Sequence, residues 1–293
     1  MMPQQSLLKG LALLSLSALL FASMGVLIRL ASHTVDNATV VFARNLTGTL
    51  LLLPLAVAGG RRFLATRVPL KHLWRALVGL AAMYGFFYAI AHLPLSNAMV
   101  FTYSSPVFIP LVAWLFLKEK ITPLMLLAAA VGMVGVVLVA KPDQGMFNLL
   151  SLVGISSSLL AAMAFVTVRA LTATEPPTRI VFYFCAIATA VSAIPMVWHW
   201  RPLTVDELLY LGGAGTLATL SQISLSKAYG YAPAGKIGPA NYLAIIFAGF
   251  WAWILWEETP DPYAIGGMLL IFLALLLCLP RDSVRSARVP EEV

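Results

Sequence analysis

The sequence predicts an all-α polytopic membrane protein with ten transmembrane helices, laid out as two five-helix repeats of inverted topology. Three observations predict it. Of the 293 residues, 60% are hydrophobic and 11% are charged, with a mean hydropathy of +0.90. A soluble domain carries about 25% charged residues because its wet surface needs them, so this surface must face hydrocarbon. Breaks in hydropathy separate ten apolar runs, each near the roughly 20 residues that cross a bilayer. Finally, the end of the first half recurs at the end of the second.

The runs follow in order. Leu8–Leu30 opens at Lys9, is long enough to span, and reads as an uncleaved signal anchor. Asn37–Ala58 stops at Gly59-Gly60-Arg61-Arg62, and Leu70–His92 and Ser96–Leu117 come next. Thr122–Ala140 stops at Lys141-Pro142-Asp143, and Leu149–Thr172 stops at Glu175-Pro176-Pro177. Pro177–Trp198, Val205–Tyr229 and Ala234–Trp256 lead to Pro260-Asp261-Pro262, which opens Asp261–Leu279. Glycine and proline at these breaks are ordinary helix punctuation. Continuous runs of this length exclude a strand-based barrel. They also leave no room for an extramembrane catalytic domain.

Orientation follows from the basic residues. With the N-terminus cytoplasmic, that side holds Lys9, Arg61, Arg62, Arg67, Lys71, Arg75, Lys118, Lys120, Arg179, Arg281, Arg285 and Arg288. The opposite side holds Lys141 and Arg201, with Arg29 near a helix end. This positive-inside asymmetry places both termini in the cytoplasm, as an even span count requires. The formal charge of +7 therefore sets topology and does not call for nucleic acid. Cys185 and Cys278 lie inside apolar runs and read as small core residues.

Laying Pro94–Pro123 on Pro233–Pro262 pairs Tyr103 with Tyr242, Phe108 with Phe247, and Trp114 with Trp253. It also pairs Glu119 with Glu258 and Pro123 with Pro262, all at one offset of 139. Further upstream, an offset of 140 pairs Arg29 with Arg169. The halves are residues 1–143 and 144–293. Five spans is an odd number, so the second half enters the membrane from the other side, as in secondary transporters built on inverted repeats.

The segment from Asn97 through Ser105-Pro106, Trp114 and Glu119 to Pro123 resembles the end of an EamA repeat of the drug/metabolite transporter superfamily. The second half ends similarly through Pro239, Trp253, Glu258 and Pro262, although Ala244-Ile245 replaces the Ser-Pro. The resemblance covers nearly the whole chain, and its overall look is most similar to the bacterial aromatic amino-acid exporters. It implies ten helices around a central cavity lined by helices 1, 3, 4, 6, 8 and 9, with 5 and 10 peripheral.

No Asp or Glu lies in the middle of a span. Proton-coupled carriers commonly use such carboxylates, so their absence favours uncoupled facilitated diffusion. The intramembrane cations are Arg44, Arg169, Lys227 and Lys236. The last three lie near the cytoplasmic end, within reach of it by snorkelling. Lys227, preceded by Gln222, Ser224 and Ser226, suits a substrate carboxylate. Arg44, beside Asn45 and Thr47, suits an inter-helix hydrogen bond as well as a ligand. His33, His72, His92 and His199 sit at interfacial positions.

Pro106, Pro110 and Pro239 free backbone carbonyls that survive at membrane depth only against protein or a wet cavity. Beside them stand Tyr103, Ser105, Asn241 and Tyr242, and span 3 adds Tyr84 and Tyr88. Together with Gln222 and Lys227 these are the candidate substrate-binding residues, Tyr103 and Tyr242 flanking the cavity from opposite sides. There is no metal-ligand cluster, nucleotide loop or nucleophile–base motif, so no enzyme and no bound cofactor or metal is expected.

The expected function is secondary transport in the bacterial inner membrane. A small metabolite would be exported by alternating access, an amino acid of apolar or aromatic kind above all. A monomer suffices for this. The rivals are a nucleotide-sugar or lipid-linked sugar carrier and a non-transporting membrane assembly subunit. The anionic sugars call for more mid-membrane Arg and Lys than the sequence shows.

Overall fold

The computed structural model describes residues 6–32, 34–92, 100–142, 151–199 and 201–279. His33, Pro94, Ser96, Asn97, Asp143, Leu149, Trp200, Arg281, Arg285, Arg288 and the junction at 143/144 lie outside them. No strand occurs among the described residues. The helices are α1 (Leu7–Ala31), α2 (Asn37–Leu64), α3 (Pro69–His92), α4 (Val100–Leu117) and α5 (Pro123–Ala140). They continue as α6 (Ser151–Leu171), α7 (Pro177–His199), α8 (Val205–Tyr231), α9 (Ala234–Trp256) and α10 (Pro262–Leu277). Eight are long and apolar enough to cross a membrane, and α10 is a shorter apolar helix. The chain is a multi-pass membrane protein.

Side chains satisfy the orphan N–H groups at several helix starts. Asp36 accepts from the Ala38 and Thr39 amides, and Thr204 and Glu207 close a capping box on α8. Thr122-Pro123 opens α5 and Asp261-Pro262 opens α10, each with the cap accepting from the third residue on. One boundary differs from expectation. α2 runs past Ala58 to Leu64, because Gly60 takes φ +49°, a left-handed conformation that suits glycine, and one more helical turn follows.

The backbone repeats itself where α4 and α9 end. Lys118 and Glu257 both adopt φ 56°. One residue later, Glu119 donates its amide to the Ala113 carbonyl and Glu258 donates to Ala252, both at 3.3 Å. Both helices are also interrupted near their starts. α4 turns at Tyr103-Ser104 before its main run from Ser105, and α9 passes through a 3-10 turn at Gly238–Tyr242 before Leu243.

Helix pairing repeats too. α1 packs on α8 and α9, and α6 packs on α3 and α4. α2 lies against α8 as α7 lies against α3, while the pairs α2–α7 and α5–α10 close on themselves. Adding five to a helix number reproduces the pattern. Apolar contact gives little net drive between helices in lipid, so close approach and hydrogen bonds must supply it. Ser17 and Ser221 bond reciprocally between α1 and α8 at 2.9 Å. At the α5–α10 crossing a Cβ on Gly135 would come within 2.6 Å of the Gly267 carbonyl oxygen. A Cβ on Gly267 would come within 2.5 Å of the Gly135 oxygen. Leucines such as Leu50, Leu53 and Leu55 are left facing outward, where lipid replaces water.

Candidate functional site

The bundle holds a partly open cavity of about 180 Å³ lined from eight helices. α1, α3, α4, α6, α8 and α9 all contribute, as the family resemblance implied, and α2 and α7 each add a single side chain, Arg44 and Phe184. Both interrupted helices reach it: α4 through Thr102, Tyr103 and Ser105, α9 through Asn241 and Ala244. Much of the remaining wall is apolar, with Phe21, Met83, Phe86, Phe165 and Leu225.

Several lining hydroxyls are engaged in holding helices together. Ser17 and Ser221 bond to each other, Ser157 donates to the Ala82 carbonyl at 2.7 Å, and Ser158 donates to the Phe101 carbonyl. Asn241 donates to the Tyr229 hydroxyl at 3.3 Å and the Gly238 carbonyl at 3.0 Å. Two guanidiniums differ in kind. Arg44 and Arg75 are 8% and 3% exposed. Arg75 donates to the Gln222 side-chain oxygen at 2.9 Å and lies 4.1 Å from the centre of the Phe184 ring. Its Nε and Nη1 are buried without an acceptor. Among the described residues Arg44 reaches only the Met83 sulfur, at 3.2 Å, and its Nε is likewise unpartnered. Gly79 makes room one turn along α3, since a Cβ there would come within 2.2 Å of Arg75 Nη1. Among the described residues no carboxylate lines the cavity or pairs with either arginine.

Of the residues singled out in the sequence, Tyr103, Ser105, Gln222, Asn241 and Arg44 meet at this cavity. Four do not. Lys227 is exposed and away from the lining. Tyr88 is 44% exposed, and Tyr84 packs with the α2–α7 cluster. Tyr242 is fully buried against α5, donating to the Ala129 carbonyl at 3.0 Å, so only Tyr103 of the paired tyrosines reaches the cavity. The 3-10 turn through Gly238–Tyr242 changes the angular phase of α9 and points that ring at Gly132. Arg75, which the sequence places among the topology-setting charges, lines the cavity as well, on the same helical face as Gly79, Met83 and Phe86.

Two further arginines are ion-paired, while Lys236 is exposed like Lys227. Arg169 on α6 bonds Glu119 after α4 at 3.2 Å and the Tyr229 carbonyl at 2.7 Å, which replaces the expected snorkelling. Arg29 on α1 bonds Glu258 after α9 at 2.8 Å and covers the Trp256 ring. Gly10 packs on Ala232 at the start of α1, close to Tyr229 on α8, so the two ion pairs lie at opposite ends of the bundle. The Arg169 pair is 21% and 18% exposed, the Arg29 pair 47% and 52%.

The sequence profile described as the EamA-like transporter family matches residues 8–141 and again 149–279. The pseudopaline exporter CntI of Pseudomonas aeruginosa is 34% identical over 91% of this chain and 94% of its own. An S-adenosylmethionine uptake transporter of Rickettsia bellii is 30% identical over 82% of each chain. A riboflavin transporter of Brucella anthropi is 27% identical over 85% of this chain and 90% of its own. One crystal structure superposes with a TM-score of 0.79 at 16% identity, over 96% of this chain and 99% of that one, which establishes a shared fold.

Proposed function

Because this chain belongs to the EamA-like transporter family, we propose that it is a secondary transporter of the bacterial inner membrane that exports a small amino-acid-like metabolite by alternating access. The observation that carries this reading is the internal cavity, reached by both interrupted helices. Its aromatic and methionine walls give adaptable contact to an apolar portion of a solute. The pairing pattern and the repeated α4 and α9 ends support two five-helix units of opposite orientation, residues 1–143 and 144–293, around that cavity. Each of the ion pairs Arg29–Glu258 and Arg169–Glu119 ties one proposed half to the other, at opposite ends. Closures that open in turn need such wiring.

Purified protein in liposomes should carry substrate down its own gradient with no pH gradient imposed, because no described mid-span carboxylate is available as a relay. The measurement is efflux of radiolabelled amino acids from loaded liposomes, with and without a protonophore. Strict dependence on the proton gradient would overturn the uncoupled mechanism.

Topology has its own check. Cysteines replacing Ala65 and Pro202, in a background lacking Cys185 and Cys278, are separated by five spans and should label from opposite sides. Ala65 should face the cytoplasm. Labelling of both from one side would remove the inverted arrangement.

The rival reading of an anionic sugar carrier gains from one observation. Two cavity arginines are present where the sequence had offered only Arg44.

A further inference from the structure

We propose that Arg44 and Arg75 form the carboxylate-binding end of the substrate cavity, and that the transported solute is a small dianion carrying two carboxylates. The inference rests on the exporter reading above and specifies its substrate class.

The argument is one of unbalanced charge. Taking a guanidinium out of water costs several kcal/mol even after relaxation, and a neighbouring counter-charge ordinarily offsets it. Here two are withdrawn into one cavity. The partners in place are a neutral amide, a thioether and an aromatic face, none of which carries a formal charge. A cation–π contact recovers part of that cost, and among the described residues it serves Arg75 and not Arg44. Elsewhere among the described residues the chain does supply carboxylates to buried or half-buried arginines, as Glu119 to Arg169 and Glu175 to Arg179. The cavity pair is an exception that a bound anion would complete.

The donors also select the anion. A guanidinium presents planar forks that match a carboxylate in bidentate fashion. Arg75 keeps Nε and Nη1 without an acceptor, one N–H on each of its two donor edges, and Arg44 keeps Nε. Two cations neutralise two carboxylates. The rest of the polar lining is mostly hydroxyls and side-chain amides, groups that can hold the solute's neutral polar atoms. The aromatic and aliphatic walls then hold the solute's carbon frame.

The test uses full-length protein in liposomes and in detergent. The probes are succinate as the dianion, L-glutamate as a dicarboxylate that also carries an ammonium, L-phenylalanine as a solute with one carboxylate and no net charge, and glucose 1-phosphate as a phosphate. The dicarboxylates should raise the melting temperature of the detergent-solubilised protein and be transported. Arg44→Gln and Arg75→Gln should each weaken dicarboxylate binding by about tenfold or more, the loss of a charged hydrogen-bonding partner. Without ligand the same variants should melt no lower than wild type, since each removes an uncompensated cation. Arg75→Lys keeps the charge but not the fork, and should fall between.

A phenylalanine flux that both Gln variants leave unchanged would overturn the dianion assignment and leave the exporter reading standing. Arginine-dependent binding of glucose 1-phosphate alone would replace carboxylate by phosphate. Marked destabilisation of both ligand-free Gln variants would make the arginines structural. Binding of dicarboxylates without flux of any probe would keep the site and remove the transporter reading.

Discussion

Alanine at Gly267 should sharply reduce folded protein, while alanine at its neighbour Gly266 should be harmless. A Cβ at Gly266 meets nothing within 4 Å. One residue on, it would press to 2.5 Å against the Gly135 carbonyl oxygen and 2.8 Å against the Val139 side chain. The reciprocal change, Gly135→Ala, meets the Gly267 oxygen at 2.6 Å and the Ile271 amide at 3.1 Å. Backbone atoms have no rotamer to escape into, so α5 and α10 would have to separate along their length. Overpacking costs about 1–3 kcal/mol in soluble cores. The penalty here belongs at the upper end or beyond, because association in lipid depends on this closeness. By contrast, Gly266→Ala should gain up to about 1 kcal/mol from helix propensity. Melting temperatures in one detergent, with yields after size exclusion, decide the matter. Equal behaviour of Gly266→Ala and Gly267→Ala would show that the helices do not cross there.

Charge reversal at Arg169 or Glu119 should cut transport more than reversal at Arg29 or Glu258. The first pair is about one-fifth exposed and the second about half exposed. A solvated pair contributes about 0–1 kcal/mol, and a buried one costs several when a partner is removed. Arg169→Glu would place like charges together beside the Tyr229 carbonyl that Arg169 now engages. We expect at least about a tenfold loss of flux, equivalent to ~1.4 kcal/mol. The exchanged double variant Arg169→Glu, Glu119→Arg should recover much of it. The weaker pair should give a few-fold loss at most. Single and double variants reconstituted at matched density measure this directly. A double variant as poor as either single one would show that the contact does not join the two residues functionally.

Much of the fold was legible because lipid leaves a coarse signal. Apolar runs set the spans, and prolines, tryptophans and acids that survive in both halves set the register. Glu119 and Glu258 illustrate this, matched at an offset of 139 in sequence and carrying the same backbone bond in the structure. The site was less legible because lining depends on angular phase. Gln222 and Lys227 are five residues apart, about 140° around a helix of 3.6 residues per turn, so one faces the cavity and the other does not. Tyr84 stands at the same angle from Gly79. Arg75 was lost among loop charges because depth, not identity, separates a topology signal from a buried ligand. Six residues beyond Pro69 it is already about 9 Å along α3.

Two fixed positive charges inside a low-dielectric bundle also have an electrical meaning. An inside-negative membrane potential does work on any net charge that crosses it, about 2.3 kcal/mol per elementary charge per 100 mV. A dianion leaving the cell through this cavity would therefore release about 4.6 kcal/mol per 100 mV. That corresponds to roughly three powers of ten in concentration ratio. Outward movement would be electrogenic and self-driven, and the resting potential would supply what a proton relay supplies in other carriers. The same voltage would oppose re-entry, so a passive conduit for such a solute would run outward until the external concentration exceeded the internal one by about that ratio.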